Sequence, residues 1–262
     1  MRQHRSIWML LARSTFRWVL VIALLLALAQ GVLFWRAMER AWDDAREAEI
    51  WFEEKSGYDR PAEPEDFNRG MESVWSNSYV PAAFGVAAVL TAALLVAFGS
   101  EGNVKVGYTF RRLSVSEKSV FLWQALYNSL CFALLWALEV FIALALCKWY
   151  VAQVGAETVS HQATFLAFYR NQFLHDVLPL EDTACWVRNG LLCLSLGVTA
   201  AWDTWSQRRS GKVHAAIVCA LGLAVWAFLD DGSGFGPNVI SMVASVFVTL
   251  VACYGVFLKE EA

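Results

Sequence analysis

The sequence predicts an all-α, polytopic integral membrane protein with about six transmembrane helices and an N-terminal amphipathic interfacial helix. Residues 79–98 (YVPAAFGVAAVLTAALLVAF) contain no charged side chain, and residues 239–258 form a second run of this kind. Because a helix rises about 1.5 Å per residue, about 20 apolar residues cross the ~30 Å hydrocarbon core. The composition agrees, since 58% of the residues are hydrophobic and 17% are charged, against about 25% charged in soluble domains.

The hydrophobic runs define a single transmembrane domain over residues 1–262. The fourth run is weakened by Arg188 and Asn189, and the fifth is short enough to be either adapted to a thin bilayer or half of a hairpin. Loops 36–78 and 148–184 are predicted on the outside, and segment 99–120 in the cytoplasm. The predicted spans are residues 18–35, 79–98, 121–147, 185–202, 214–229 and 239–258.

Charge predicts the orientation of these spans. Lys and Arg are concentrated in the N-terminal segment and in the second and fourth loops, whereas loop 36–78 is rich in Asp and Glu. Cytoplasmic loops carry the excess of Lys and Arg, so a multi-pass protein of the cytoplasmic membrane with both termini in the cytoplasm is expected. A signal-peptide cleavage after residues 27–29 (ALA) is the less favoured alternative, because the apolar run continues to residue 35.

Several shorter segments also carry structural predictions. Residues 7–18 combine apolar and basic side chains and predict the interfacial helix. Residues 36–50 are rich in Ala, Glu and Arg and should extend the first span outward, whereas two prolines in residues 57–70 should break any helix. An apolar stripe at four-residue spacing predicts a short helix in the third loop; it consists of Phe165, Tyr169, Phe173 and Val177. This helix would lie either on the outer membrane surface or packed on the bundle, and the packed position is preferred.

The sequence gives no sign of an enzyme. It has no GxxxxGK[ST] motif, and the four histidines show no metal-ligand spacing, so no catalytic residue, metal site or cofactor is predicted in this chain. Cys147 and Cys185 fall at the outer ends of two spans and could form a disulfide, although free thiols are preferred. Membrane lipid is an expected partner of this chain, and nucleic acid is not.

Two charged residues fall within spans and are candidates for an intramembrane cavity. Glu139 is an acid deep in the third span, where a carboxylate costs several kcal/mol and should face the bundle interior, a partner or water. It either handles substrate or protons, or it makes a packing contact between helices. Arg188 either pairs with Glu139 or extends toward the interface.

Small residues recur at four-residue spacing and predict close helix packing, within one chain or between two chains. They are Ala83, Ala87 and Thr91 in the second span, Ala216, Ala220 and Ala224 in the fifth, and Ser241 and Ser245 in the sixth.

The segment before the third span is the most specific. Residues 108–118 read YTFRRLSVSEK, a basic stretch with interleaved apolar side chains that suits docking to a protein groove, although lipid phosphates could bind the arginines. The segment resembles the loop between the second and third spans of type-2 ABC exporter permeases, which tends to read Tyr-Thr-Leu-x-Arg-Leu-Pro-Val-Ser. The resemblance is closest over residues 107–150.

This resemblance implies a six-helix subunit that pairs with a second permease subunit, in a homo- or heterodimer. It also implies a separate cytoplasmic P-loop ATPase, which holds ATP and Mg and docks on this loop. The implied coupling residues are Tyr108, Phe110, Arg111, Arg112, Leu113, Val115, Glu117 and Lys118.

Two departures from the family pattern limit what can be transferred. Ser114 stands where the family usually has proline, and residues 230–238 are too short for the external segment that often lies between the last two spans. Substrate, gating and direction of transport are therefore not implied.

The predicted function is the membrane-spanning permease subunit of an ABC-type exporter. The alternative is a membrane scaffold or sensor with an acidic external loop. An ion-coupled secondary transporter comes third, because Glu139 is the one acid deep in a span and no inverted repeat is visible.

Overall fold

A computed structural model describes residues 2–56, 64–99, 116–154, 162–210, 216–229 and 235–257. Within these ranges the chain is almost entirely helical and contains no strand. The helices are α1 (Arg2–Ser56), α2 (Pro64–Asn77), α3 (Val80–Gly99), α4 (Glu117–Val154), α5 (Ala163–Arg170), α6 (Gln172–Val177), α7 (Thr183–Ser210), α8 (Ala216–Leu229) and α9 (Phe235–Phe257).

Among the described residues, five stretches are long and apolar enough to cross a membrane, which confirms the all-α, multi-pass class. They are Leu11–Glu47, Gly70–Phe98, Glu117–Val154, Thr183–Arg208 and Gly236–Phe257. Large apolar side chains on them are exposed, for example Leu24, Phe141 and Phe247 at 62%, 69% and 65%. Exposed apolar surface on this scale requires an apolar environment. The predicted fifth span is the 14-residue α8, which is about 21 Å long at about 1.5 Å per residue.

Helix α1 is a continuous helix of 55 residues. Its C-terminal part confirms that residues 36–50 extend the first span as a helix. The segment predicted as an amphipathic helix is helical as well, but it continues into the span without a break. Thr15 is buried there and shares a 2.6 Å hydrogen bond with the Tyr127 hydroxyl of α4, while the Trp8 ring lies edge-on to the Tyr127 ring.

The prediction that residues 57–70 break any helix is wrong for its second half. Helix α2 begins at Pro64 and continues through Gly70; residues 57–63 lie outside the described residues. Proline is tolerated in the first turn, because the N–H that it lacks has no intrahelical partner there. A Cβ on Gly70 would lie 2.8 Å from the Tyr150 hydroxyl, so glycine permits a close approach of α2 to α4.

The aromatic stripe of residues 165–177 is split between two helices. Asn171 ends α5 with an extended backbone, and its side chain accepts a 3.1 Å hydrogen bond from the Leu174 N–H to start α6. This change of direction shifts the helical phase. Phe165 and Tyr169 are exposed and stacked on each other, whereas Phe173 and Val177 are buried. The preferred prediction of a helix packed on the protein therefore holds for the second half of the stripe.

Internal contacts divide the chain into two compact units, each described by itself. Unit 1 comprises Met1–Leu24, Gly85–Leu138 and Asp182–Ala262, and unit 2 comprises Leu25–Phe84 and Glu139–Glu181. Helices α1, α3 and α4 each contribute residues to both units.

The core of unit 1 is built from helices that approach closely through small residues. Ala220 and Ala224 of α8 are buried in a cluster with Leu95 of α3 and Leu196 of α7. The other predicted small residues of unit 1, except the half-buried Ala216, are buried too: Ala87, Thr91, Ser241 and Ser245. Their burial places them against neighbouring helices of the same chain.

The core of unit 2 is aromatic. Phe34 of α1 is fully buried between Trp75 of α2 and Trp149 of α4, with ring centroids 5.1 and 6.4 Å away. Phe84 of α3 contacts Phe173 of α6 at 6.3 Å. Cys147 is buried in this unit, and all six cysteines of the chain are free thiols, as preferred from the sequence.

Replacement of Gly197 by Ala should destabilise the protein strongly. A Cβ there would overlap the Ser129 side chain and lie 2.6 Å from Ser129 Cα, so α4 and α7 would have to separate. Overpacking of this kind costs about 1–3 kcal/mol, occasionally more. We expect the variant to have a lower midpoint of thermal unfolding. Size-exclusion chromatography of detergent-solubilised protein after heating measures this midpoint.

Gly190→Ala is the matched control. It lies two turns earlier on the same helix, and nothing lies within 4 Å of its Cβ position. Its midpoint should equal that of the wild type or exceed it slightly, because alanine favours a helix. Equal midpoints for the two variants would contradict the close contact.

Candidate functional site

Most of the implied coupling residues lie outside the described residues. Tyr108, Phe110, Arg111, Arg112, Leu113 and Val115 belong to this group. The described part of the segment starts at Ser116, whose hydroxyl is 2.8 Å from the Ser119 hydroxyl and 3.3 Å from the Ser119 N–H. Ser116 therefore caps α4, and Glu117 occupies the first turn with its side chain exposed. A carboxylate at this position suits the positive end of the helix dipole.

The first turn of α4 is attached to the end of α9. Lys118 Nζ donates to the Phe257 carbonyl oxygen over 3.4 Å, and it lies 5.9 Å from the centre of the Phe257 ring. The Phe121 ring meets the same ring edge-on at 6.0 Å. The exit of the predicted coupling segment is thus attached to the last turn of the final helix by polar and aromatic contacts.

Glu139 is fully buried in unit 2 and is hydrogen-bonded to Gln30 of α1. Gln30 Nε2 lies 2.8 Å from both carboxylate oxygens of Glu139 and also donates to the Val80 carbonyl oxygen over 3.3 Å. The amide oxygen of Gln30 is buried without a hydrogen-bond partner. The arrangement joins α1, α3 and α4 and favours the packing interpretation of Glu139.

Arg188 is buried in unit 1, and its guanidinium contacts two asparagines. Nη1 donates to Asn238 Oδ1 over 2.7 Å, while Nε and Nη2 reach Asn189 Oδ1 at 3.2 and 3.1 Å. The Cζ atom of the guanidinium lies 5.7 Å from the centre of the Phe228 ring. Asn238 in turn donates to Asp182, so the start of α9 is joined to the start of α7. Glu139 and Arg188 each have partners within their own unit.

A cleft that the sequence analysis did not predict lies in unit 1 between α3, α7 and α8. Its volume is about 460 Å³, and its walls are apolar except for Asp203 and Gln207. The predicted fourth span ends at residue 202, which leaves Asp203 outside it. Helix α7 instead continues to Ser210, and Asp203 is only 2% exposed. The four-residue spacing of Asp203 and Gln207 was the available signal, because it places both on one helical face.

Comparisons with protein-family models, curated proteins and solved structures found no match for this chain.

The Gln30–Glu139 contact yields a stability prediction. Gln30→Leu removes the donor and leaves the Glu139 carboxyl buried, so we expect the protein to lose about 1–3 kcal/mol of stability. The double variant Gln30→Leu/Glu139→Leu should recover most of this loss, because no polar group remains unsatisfied. Thermal unfolding of the single and double variants in the same detergent measures both effects. A double variant no more stable than Gln30→Leu would contradict a packing role.

Proposed function

We propose that this protein is the membrane-spanning permease subunit of an ABC-type exporter. It would move substrate across the cytoplasmic membrane with ATP hydrolysed by a separate P-loop ATPase. The observation that carries the proposal is the segment of residues 108–118, which resembles a permease coupling loop and leads directly into α4. This segment connects two of the helices that are long and apolar enough to span a membrane.

The contacts of the described end of this segment support a mechanical role. A partner that displaced the loop would pull on the capped first turn of α4. Because Lys118 and Phe121 both contact Phe257, the last turn of α9 would move with it. Coupled displacement of helix ends is a known way to convert a local event into a larger rearrangement.

The proposal includes a specific arrangement in the membrane. Both termini and the coupling segment would lie in the cytoplasm. Arg13 and Arg17, which are exposed in the N-terminal part of α1, would meet lipid phosphates at the interface. The acidic part of α1 beyond residue 36 would lie outside. A second permease subunit would complete the transport path.

Recovery of the ATPase is the decisive test. The tagged protein, extracted from its native cells in nanodiscs or mild detergent, should copurify with a stoichiometric P-loop ATPase identified by mass spectrometry. Arg111→Ala/Arg112→Ala should reduce this recovery at least tenfold, because the arginines orient the docked loop.

The control is Arg36→Ala/Arg40→Ala, which removes the same charge from an exposed part of α1 that is predicted to lie outside. It should recover the ATPase like the wild type. Absence of any ATPase from cells that contain intact protein would overturn the exporter proposal and favour the scaffold or sensor.

Cysteine labelling tests the proposed orientation separately. Ala45 of α1 and Glu117 of α4 are both exposed. In a background with the exposed Cys219 replaced by serine, Ala45→Cys should react with a membrane-impermeant maleimide in intact cells. Glu117→Cys should react only after permeabilisation. The reverse pattern would invert the orientation.

A further inference from the structure

The cleft in unit 1 opens along an exposed apolar edge of α3. Val89, Ala93 and Ala97 line it at four-residue spacing, and all three are exposed. They belong to Gly70–Phe98, one of the stretches that are long and apolar enough to cross a membrane. Val86 beside them is exposed as well. Because an exposed apolar surface in such a stretch requires hydrocarbon around it, the mouth of the cleft faces lipid.

The lining of the cleft is suited to hydrocarbon rather than to water. Its volume is about 460 Å³, and Ile217 and Leu221 of α8 form the apolar wall that faces α3. Among the described lining residues, the polar side chains come from α7 alone. An ordered water needs two to four polar partners, so most of this space offers none to water. Leaving it empty would forfeit the dispersion contacts of its walls, and lipid chains at the mouth supply them.

The polar and apolar parts of the lining are arranged in order along the cleft. Asp203 and Gln207 lie in the last two turns of α7, which ends at Ser210, and Ile217 lies in the first turn of α8. Val89 lies ten residues before the end of α3, about 15 Å deeper at about 1.5 Å per residue. The polar side chains are thus nearest to the helix ends, and the apolar lining continues beyond them. A phospholipid that enters from this side has the same order, with its headgroup at the helix ends and its acyl chain deeper.

We propose that this cleft is a specific site for one acyl chain of a membrane phospholipid. The chain fills the space between α3 and α8, and the headgroup lies beside the last turn of α7. The bound lipid thereby completes the packing of these helices, which the protein leaves open. Binding stands on the cleft alone and is the same for an exporter, a scaffold or a sensor. The assignment of the lipid to the cytoplasmic leaflet rests on the orientation given under the proposed function.

A phospholipid with a photoreactive diazirine at the end of one acyl chain provides the test. It is titrated as a minor component into micelles of the purified, delipidated full-length protein, and its adducts after irradiation are mapped by mass spectrometry of peptides. We expect adducts on residues 89–97 and 217–221 to saturate near one lipid per chain. An excess of the same lipid without the diazirine should reduce them at least tenfold. Adducts at Phe141, which is exposed on α4, should rise in proportion to the probe and resist displacement. No ATPase is present, so the result is independent of the exporter proposal.

Two variants locate the binding. Ala93→Trp places an indole in the cleft and should reduce the saturable labelling of Ile217 and Leu221 at least tenfold. Val86→Trp, two turns earlier on α3 and outside the lining, should leave it unchanged. Both replaced side chains are exposed, so both variants should keep the wild-type midpoint of thermal unfolding. Saturation and displacement in the wild type decide the matter even where Ala93→Trp does not fold.

Three results would overturn the proposal. They are labelling of the cleft that rises without saturation or resists displacement, equal labelling of Ala93→Trp and Val86→Trp, and the absence of adducts in the cleft. The last result, found in a protein that runs as a dimer, would assign the cleft to contact with a second copy of the chain instead of lipid.

Discussion

The pairing of polar groups within an apolar environment is the constraint on which this structure depends. A backbone N–H or C=O without a partner in hydrocarbon costs several kcal/mol, so the chain pairs its backbone within long helices. Hydroxyl side chains inside the helices meet the same requirement locally. Thr15, Ser129 and Thr199 each donate to the carbonyl oxygen four residues earlier in their own helix. Each of these hydroxyls therefore has an acceptor within its own helix, whether or not a second helix also contacts it.

Longer polar side chains cannot be satisfied in this way, and they join helices that are distant in sequence. Glu139 obtains its donor from Gln30, 109 positions away, and Arg188 obtains an acceptor from Asn238, 50 positions away. The sequence made Glu139 and Arg188 conspicuous, because charges are rare in apolar runs. It gave no means of identifying their partners, because neutral amides are ordinary in sequence and only the packing brings them close.

Features that depend on local sequence were predicted well, and features that depend on position within a helix or on packing were missed. The length of the apolar runs identified the long helices. Burying a charge in hydrocarbon is costly, and the absence of charge from a run can be read directly from its composition. The start of α2 at Pro64 was missed because the effect of proline depends on its position within the helix. The burial of Asp203 was missed because hydropathy ended the span at Trp202, whereas backbone hydrogen bonding continues to Ser210.

The last two turns of α7 connect the first turns of α4 to the cleft of unit 1. Arg208 Nη2 donates to Gln124 Oε1 of α4 over 2.9 Å, and Asp203 on the same turns lines the cleft. Displacement of the first turns of α4 would therefore act on the helix that carries the carboxylate. A partner ATPase that moved α4 would therefore bias the position of the helix end that lines the cleft. By thermodynamic linkage, any ligand of this cleft would change the affinity for the ATPase by the factor by which the ATPase changes the affinity for that ligand.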